Sequence, residues 1–276
     1  MQKGLYIIST PIGNMKDITQ RAIETMLASD YIFCEDTRVT RKLLEKHQIT
    51  AKLSVYNDHS DKRTRDYIAS LIDEGAVVSL VSDAGTPLIS DPGYKLVRDL
   101  QEAGYFVDIA PGVCSITAAI TLSGLPSDRF IFNGFMPRTS EAKRKIFNEV
   151  AELKATLIFF EAPGRLVSTL EGAFEVFGDR EACVVREITK LYQTVKRGSI
   201  SELKDFFVTN EPRGEIVLLF SGVSVRSCVV DDVEKEVALL LSEGLSTKDV
   251  AKILHEKFKS FTKSAIYDIA KKIGKG

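Results

Sequence analysis

Val77-Val78-Ser79-Leu80-Val81-Ser82-Asp83-Ala84-Gly85-Thr86-Pro87-Leu88-Ile89-Ser90-Asp91-Pro92-Gly93 decides the fold of this chain. Its first half is a near-continuous apolar run without alternation, the pattern of a strand buried on both faces in a parallel sheet. Its second half changes at once to turn residues: Asp83, Gly85, Thr86, Pro87, Asp91, Pro92 and Gly93. This loop lies at the strand's C-terminal end, where open α/β sheets bind ligands. Gly85 lets the backbone approach a ligand closely, and Pro87 and Pro92 stiffen the loop by fixing φ. A plain strand-to-helix turn would use the same residues, so the loop alone assigns no ligand.

Upstream, Leu5–Thr10 reads as a buried strand, followed by the tight loop Thr10-Pro11-Ile12-Gly13-Asn14. Thr19 then caps a helix to about Leu27. The loop is neither G-x-G-x-x-G nor a Walker A sequence, so the nicotinamide and P-loop fingerprints are both absent. Tyr31–Cys34 is a second strand, ending in Glu35-Asp36-Thr37-Arg38. Adjacent carboxylates at a strand end are candidates for chemistry. The rival reading is a helix cap, with Thr37 as the capping residue and an Asp36–Arg38 surface pair. Lys52–Tyr56 is a further strand, and Lys62, Arg63 and Arg65 open the next helix. Basic residues in a first turn oppose the helix dipole, which suits an external anion or a solvated face.

Downstream, a helix from Tyr94 to Ala103 ends at Gly104, and Tyr105–Ile109 is a fifth strand. Ala110-Pro111-Gly112-Val113-Cys114-Ser115 leads into a helix of small residues, Ile116–Ser123. Ser123–Asp128 is rich in Gly, Pro and Ser and marks the best internal boundary. Beyond it, Phe130–Phe135, Thr156–Glu161, Glu181–Val185, Tyr192–Arg197 and Glu215–Phe220 read as strands with short links. Such links predict a mixed or antiparallel sheet. A basic amphipathic helix carries Arg138, Lys143, Arg144 and Lys145. From about Cys228, three short helices form a helix-turn-helix-like module, with Ser246 and Thr262 or Ser264 as caps. The expected division is 1–122, 123–227 and 228–276.

The 276 residues carry a net charge of −1, so a global basic field is excluded and any acidic partner must meet local patches. Cys34, Cys114, Cys183 and Cys228 are widely spaced and His47, His59 and His255 scattered, which gives no expectation of metal or disulfides. No leader or membrane-length apolar run is read, so the expected location is cytoplasmic.

Taken in order, Thr-Pro-Ile-Gly-Asn at 10–14, Cys-Glu-Asp-Thr-Arg at 34–38, the loop at 82–93, Pro-Gly at 111–112, Ser-Gly-Leu-Pro at 123–126, Arg-Glu-Ile-Thr-Lys at 186–190 and Gly-Glu-Ile-Val-Leu at 214–218 form a specific series. It resembles the ribosomal RNA small subunit methyltransferase I family, within the tetrapyrrole-methylase superfamily, over about residues 4–222. The resemblance implies two α/β domains with S-adenosylmethionine (SAM) in the cleft between them. It also implies a homodimer and 2′-O-methylation of a cytidine ribose in the P-site region of 16S rRNA. By position, Pro11, Asp83, Gly85, Thr86, Pro87, Cys114, Ser115, Glu161 and Ile188 would surround the cofactor. Two departures stand out: Glu161-Ala162-Pro163-Gly164-Arg165 replaces the common Glu-Ser-Pro-His-Arg, and Val113-Cys114-Ser115 replaces Ala-Ser-Ala.

A ribose hydroxyl is a poor nucleophile and is helped by a proton acceptor. Glu35, Asp36 and Glu187 are the candidates, each with an ion pair as its rival role. Arg38, Lys62, Arg63, Arg65, Arg144 and Lys145 would meet the rRNA or the small ribosomal subunit through phosphates. A tetrapyrrole methyltransferase and a non-catalytic ribosome-binding protein remain the alternatives.

Overall fold

The computed structural model describes residues 1–223, 225–258 and 261–274; the side chains of 225–231, Cys228 among them, lie outside that description. The first sheet contains β1 (Gly4–Ile8), β2 (Tyr31–Cys34), β3 (Lys52–Val55), β4 (Val77–Val81) and β5 (Val107–Ala110). Its order is β3-β2-β4-β1-β5 and every pairing is parallel. Successive side chains of a strand point to opposite faces. Leu5, Ile7, Val78 and Leu80 therefore enter one core, while Tyr6, Ile8, Val77 and Val81 enter the other. That two-sided burial explains the unbroken apolar run of β4. Helices α1 (Gln20–Leu27) and α2 (Thr37–Lys46) cover one face; α3 (Lys62–Asp73) and α4 (Tyr94–Glu102) cover the other. Because all five strands run the same way, the loops after them gather at one edge.

The second sheet has the order β6-β7-β10-β8-β9, formed by β6 (Phe130–Phe135), β7 (Thr156–Glu161), β8 (Glu181–Arg186), β9 (Thr194–Ser199) and β10 (Ile216–Phe220). Only β6 and β7 run parallel; the other pairings are antiparallel. Phe147, Phe159, Phe177 and Phe220 meet edge to face in its outer core. This core lies under α6 (Ser140–Val150), α7 (Leu166–Phe177) and α8 (Ile200–Thr209). Helix α5 (Ser115–Ser123) precedes the expected boundary, yet its Ile116, Ala119 and Ile120 pack on the opposite face, with Ile158, Cys183, Val185 and Leu219. The last described helices are α9 (Val225–Ser242), α10 (Thr247–Lys257) and α11 (Lys263–Ile273), which share a small core of Val233, Val237, Val250, Leu254 and Ile266.

Several boundaries differ from the sequence reading. Asp36, not Thr37, caps α2: its side chain accepts the Arg38 N–H. Strand β9 starts at Thr194 instead of Tyr192, because turns donating Lys190 N–H to Glu187 O and Gln193 N–H to Lys190 O hold the chain until then. Lys143 is not on the exposed basic face of α6. It is 3% exposed and donates to Ser168 Oγ at 3.0 Å and Thr169 Oγ1 at 2.7 Å.

Candidate active site

The loop after β4 is fixed to its neighbours by short polar contacts. Thr10 N–H donates to Gly85 O at 2.8 Å, and Gly85 N–H returns to Thr10 O at 3.0 Å. Thr10 Oγ1 donates to Ser82 O at 3.0 Å. The Thr86 hydroxyl lies 3.0 Å from Ser9 Oγ and donates to Val113 O at 3.0 Å, so it ties together the ends of β1, β4 and β5. Gly85 has φ +86°, a conformation that side chains disfavour. Leu88 (φ 73°) and Ser90 (φ 63°) hold left-handed backbone without being glycine. Such strain concentrates at functional sites.

From the other sheet, the turn 187–190 reaches across. Asn14 N–H donates to Thr189 Oγ1 at 2.9 Å, and Ile12 and Ile188 share one core. A Cβ on Gly13 would lie 2.5 Å from Lys190 Cγ, so the two loops interlock only because residue 13 is glycine.

Between the sheets lies a cavity of about 270 Å³. Asp83, Gly85, Thr86, Cys114, Ser115, Glu161 and Ile188 all line it, with Ile12, Asp91, Phe135, Phe160, Glu215 and Val217. Pro11 and Pro87 do not: both are buried behind the wall they stiffen. Asp91 and Glu215 were not singled out from the sequence. Asp91 sits within the loop that was, but nothing in a lone Asp-Pro-Gly separates a cleft residue from a turn.

The candidate proton acceptors separate clearly. Asp36 faces Arg38 at 2.5 Å, and this guanidinium holds its carboxyl down at about 2. It acts as cap and ion pair and lies outside the cavity lining. Glu187 is also withdrawn from the expected role. Its carboxylate accepts the Glu215 N–H at 2.9 Å and the Lys190 ammonium at 3.0 Å, both of which hold its pKa below the ordinary value. Glu35 is an exposed residue outside the lining, whose carboxyl is pushed up by partial burial and by Asp83, Asp58 and Asp36. Asp83 accepts the Asp36 N–H at 3.1 Å and is pushed up chiefly by burial.

Glu161 lines the cleft with its carboxylate fully engaged. Arg165 Nη2 lies 2.6 Å away, Ala162 N–H donates at 2.7 Å, Thr169 donates to the other oxygen, and Lys143 Nζ stands at 3.8 Å. Gly164 faces open space: an added Cβ meets nothing within 4 Å.

Among the basic candidates, Arg65 is corrected to a structural role. Its Nε donates to Asp99 at 2.7 Å with the side chain 14% exposed, which fastens α3 to α4. Lys62 pairs with Asp66 and Arg144 with Glu175, both exposed; Arg38, Arg63 and Lys145 are exposed as well. Among the described residues no group of three or more His, Cys, Asp or Glu is placed to hold a metal, and no helix is long and apolar enough to cross a membrane.

A parallel sheet and a mixed sheet enclosing a cleft, with a strained loop from the first as its wall, define the tetrapyrrole-methylase class of fold. The profile of the tetrapyrrole (corrin/porphyrin) methylases matches residues 4–204. A cobalt precorrin-4 methyltransferase structure superposes with TM-score 0.57 at 20% identity, over 79% of this chain and 94% of that one. The methyltransferase CobJ gives TM-score 0.60 at 16% identity, over 80% and 94%. Among curated proteins, ribosomal RNA small subunit methyltransferase I of Rickettsia prowazekii (strain Madrid E) is 55% identical over 274 residues, 99% of this chain and 98% of that protein. The Thermotoga maritima protein of that name is 44% identical over 218 residues, 79% of this chain and 98% of its own length. The chain belongs to the tetrapyrrole methylase family and, within it, to the ribosomal RNA small subunit methyltransferase I family.

Proposed function

We propose that this protein transfers a methyl group from SAM to the 2′-oxygen of a cytidine ribose in the P-site region of 16S rRNA. Methylation of small-subunit rRNA rests on one observation, the 55% identity over 99% of the chain to a protein named for that reaction. The cleft suits the donor. Bound SAM supplies an electrophilic methyl group on a sulfonium whose leaving group is already in place. Asp83 and Asp91 bring carboxylates without an ion-pair partner to a wall that Ile12, Phe160 and Val217 make apolar, which fits a cationic centre joined to a flat base. The protein's task is then positioning, which can supply about 7–11 kcal/mol of the barrier.

The ribose target is supported by the likeness of residues 34–38 and 186–190 to the ribose-methylating family. Cys34 offers no alternative nucleophile, because burial pushes its thiol pKa up. Alkali reads the product directly, since strand cleavage needs a free 2′-hydroxyl. Small subunits treated with the enzyme and SAM should give a hydrolysis ladder with one gap at a single cytidine. A complete ladder with label incorporated would place the methyl on a base. Neither gap nor label would favour a tetrapyrrole substrate or a binding protein.

On this reading Arg38, Lys62, Arg63, Arg144 and Lys145 meet rRNA phosphates, and the chain divides as 1–122, 123–227 and 228–276, with α5 bridging the first two parts. Charge reversal at Arg63 and Lys145 should weaken subunit binding and lower the log–log salt slope by roughly 0.7–0.9 per lost contact. An unchanged slope would move the RNA path elsewhere. The protein acts as a cytoplasmic homodimer, which a single-chain mass by light scattering on active enzyme would exclude.

A further inference from the structure

Two large apolar side chains line the cleft and yet reach solvent at its mouth: Phe135, 62% exposed, and Ile89, 41% exposed. They come from opposite sides, β6 of the second sheet and the loop after β4 of the first. An irregularity in β6 aims Phe135. Phe132 pairs with Ile158 and Phe135 with Phe160, so β6 takes three steps where β7 takes two. Side chains alternate along a strand, so without the extra residue position 135 would share the face of Ile131, in the outer core. With it, Phe135 joins Phe132 and Phe160 on the cleft face, and bulges of this kind re-aim side chains beside active sites. Gly134, at φ +73°, makes the turn; a Cβ there would stand 3.8 Å from Ser90 Oγ, so the bulge abuts the loop after β4. Phe160 meets the Phe135 ring edge to face at 5.1 Å and holds it from one side, leaving most of the ring open.

The cavity, at about 270 Å³, is smaller than the roughly 300–1,000 Å³ of pockets that enclose a single small molecule. It has room for one reactant at most, so the acceptor must present itself at the mouth. Unstacked RNA bases are held on aromatic faces. Arg138, close behind Phe135 in the chain, is exposed and in no ion pair among the described residues, which suits a neighbouring phosphate.

We propose that Phe135 is the stacking platform for the base of the methylated nucleotide, with Ile89 bounding it from across the mouth, an inference that rests on the rRNA substrate proposed above. Fixing the base turns its ribose towards the donor in the cleft. Every base has a π-face, so this contact positions the nucleotide and does not read its identity.

The test compares wild type with Phe135→Ala, Phe135→Leu and Phe135→Trp on small subunits, using labelled SAM for rate and titration calorimetry for SAM affinity. Losing one base–aromatic stack should lower kcat/KM for subunits about 5- to 100-fold in Phe135→Ala. Phe135→Leu keeps apolar bulk without the ring face and should lose nearly as much, whereas Phe135→Trp should stay within about threefold of wild type. SAM affinity should not change in any of them. Melting temperature checks folding, and Phe135→Leu, conservative at a mostly exposed position, carries the test if Phe135→Ala is destabilised. A Phe135→Leu rate within about threefold of wild type, or a Phe135→Trp rate as low as that of Phe135→Ala, overturns the platform. A SAM affinity that falls in step with kcat/KM overturns it too, and makes Phe135 a cofactor contact. Failure of the rRNA reading shows in wild type alone, as subunits that take up no label. Labelled subunits with an unimpaired Phe135→Leu overturn the platform only.

Discussion

Gly85→Val is expected to abolish SAM binding while leaving the two sheets folded. Gly85 sits at φ +86°, where an L residue costs about 1–2 kcal/mol and a β-branched one more. The added Cβ would lie 3.3 Å from Ile12 Cγ2, before the two valine methyls are placed. Relief requires the loop to rotate, which breaks the reciprocal Thr10–Gly85 hydrogen bonds and shifts the wall that carries Asp83, Thr86 and Asp91. Ile12, the nearest neighbour of the new side chain, lines the cleft, so the damage falls there. Gly85→Ala carries the same φ strain without the methyls and should bind more weakly than wild type but measurably. Titration calorimetry checks the series, and a Gly85→Val affinity within tenfold of wild type would remove this loop from the cofactor site.

The second large effect is on stability. Glu161→Ala should cost about 3–5 kcal/mol, the usual penalty for deleting one member of a buried ion pair. Glu161 has no exposed side-chain surface and Lys143 only 4%, so the ammonium would keep two hydroxyl partners and no counter-charge. Burial already lowers the Lys143 pKa below 10.5, and Glu161 is the group that opposes this. Without Glu161 it falls further. Between the folded and unfolded values the unfolded chain binds more protons, so the variant should regain stability as pH rises towards 10.5. A Glu161→Gln/Lys143→Met double variant removes the two most buried charges but leaves Arg165, 27% exposed, without its counter-charge, so it should recover part of the loss. Urea unfolding at several pH values measures this. A loss below 1 kcal/mol, or one that does not change with pH, would mean that water reaches the pair.

Local covalent facts made much of the architecture legible. The unbroken apolar runs of β1 and β4 can satisfy only a strand covered on both faces, so the parallel sheet was readable from Leu5–Ile8 and Val77–Val81. Thr19, Ser246 and Thr262 stand where hydroxyls cap helices, and each accepts the expected N–H. The dense Gly and Pro of residues 83–93 marked a shaped loop, because such a backbone serves turns and close approach.

What the sequence could not decide was which of several identical side chains would be solvated, paired or left alone. Lys143 and Lys145 are neighbours on one helix, yet the turn of the helix buries one against Glu161 and exposes the other. Asp36, Glu187 and Asp91 are all carboxylates beside turns. A guanidinium two residues away claims the first, and an N–H from Glu215 with the Lys190 ammonium claims the second. The third is left facing other carboxylates from three different loops. Electrostatic environment depends on distances across the fold, and those distances are set by how the sheets pack. The residue types and the loops were therefore fixed by sequence, while the choice among carboxylates belonged to tertiary structure.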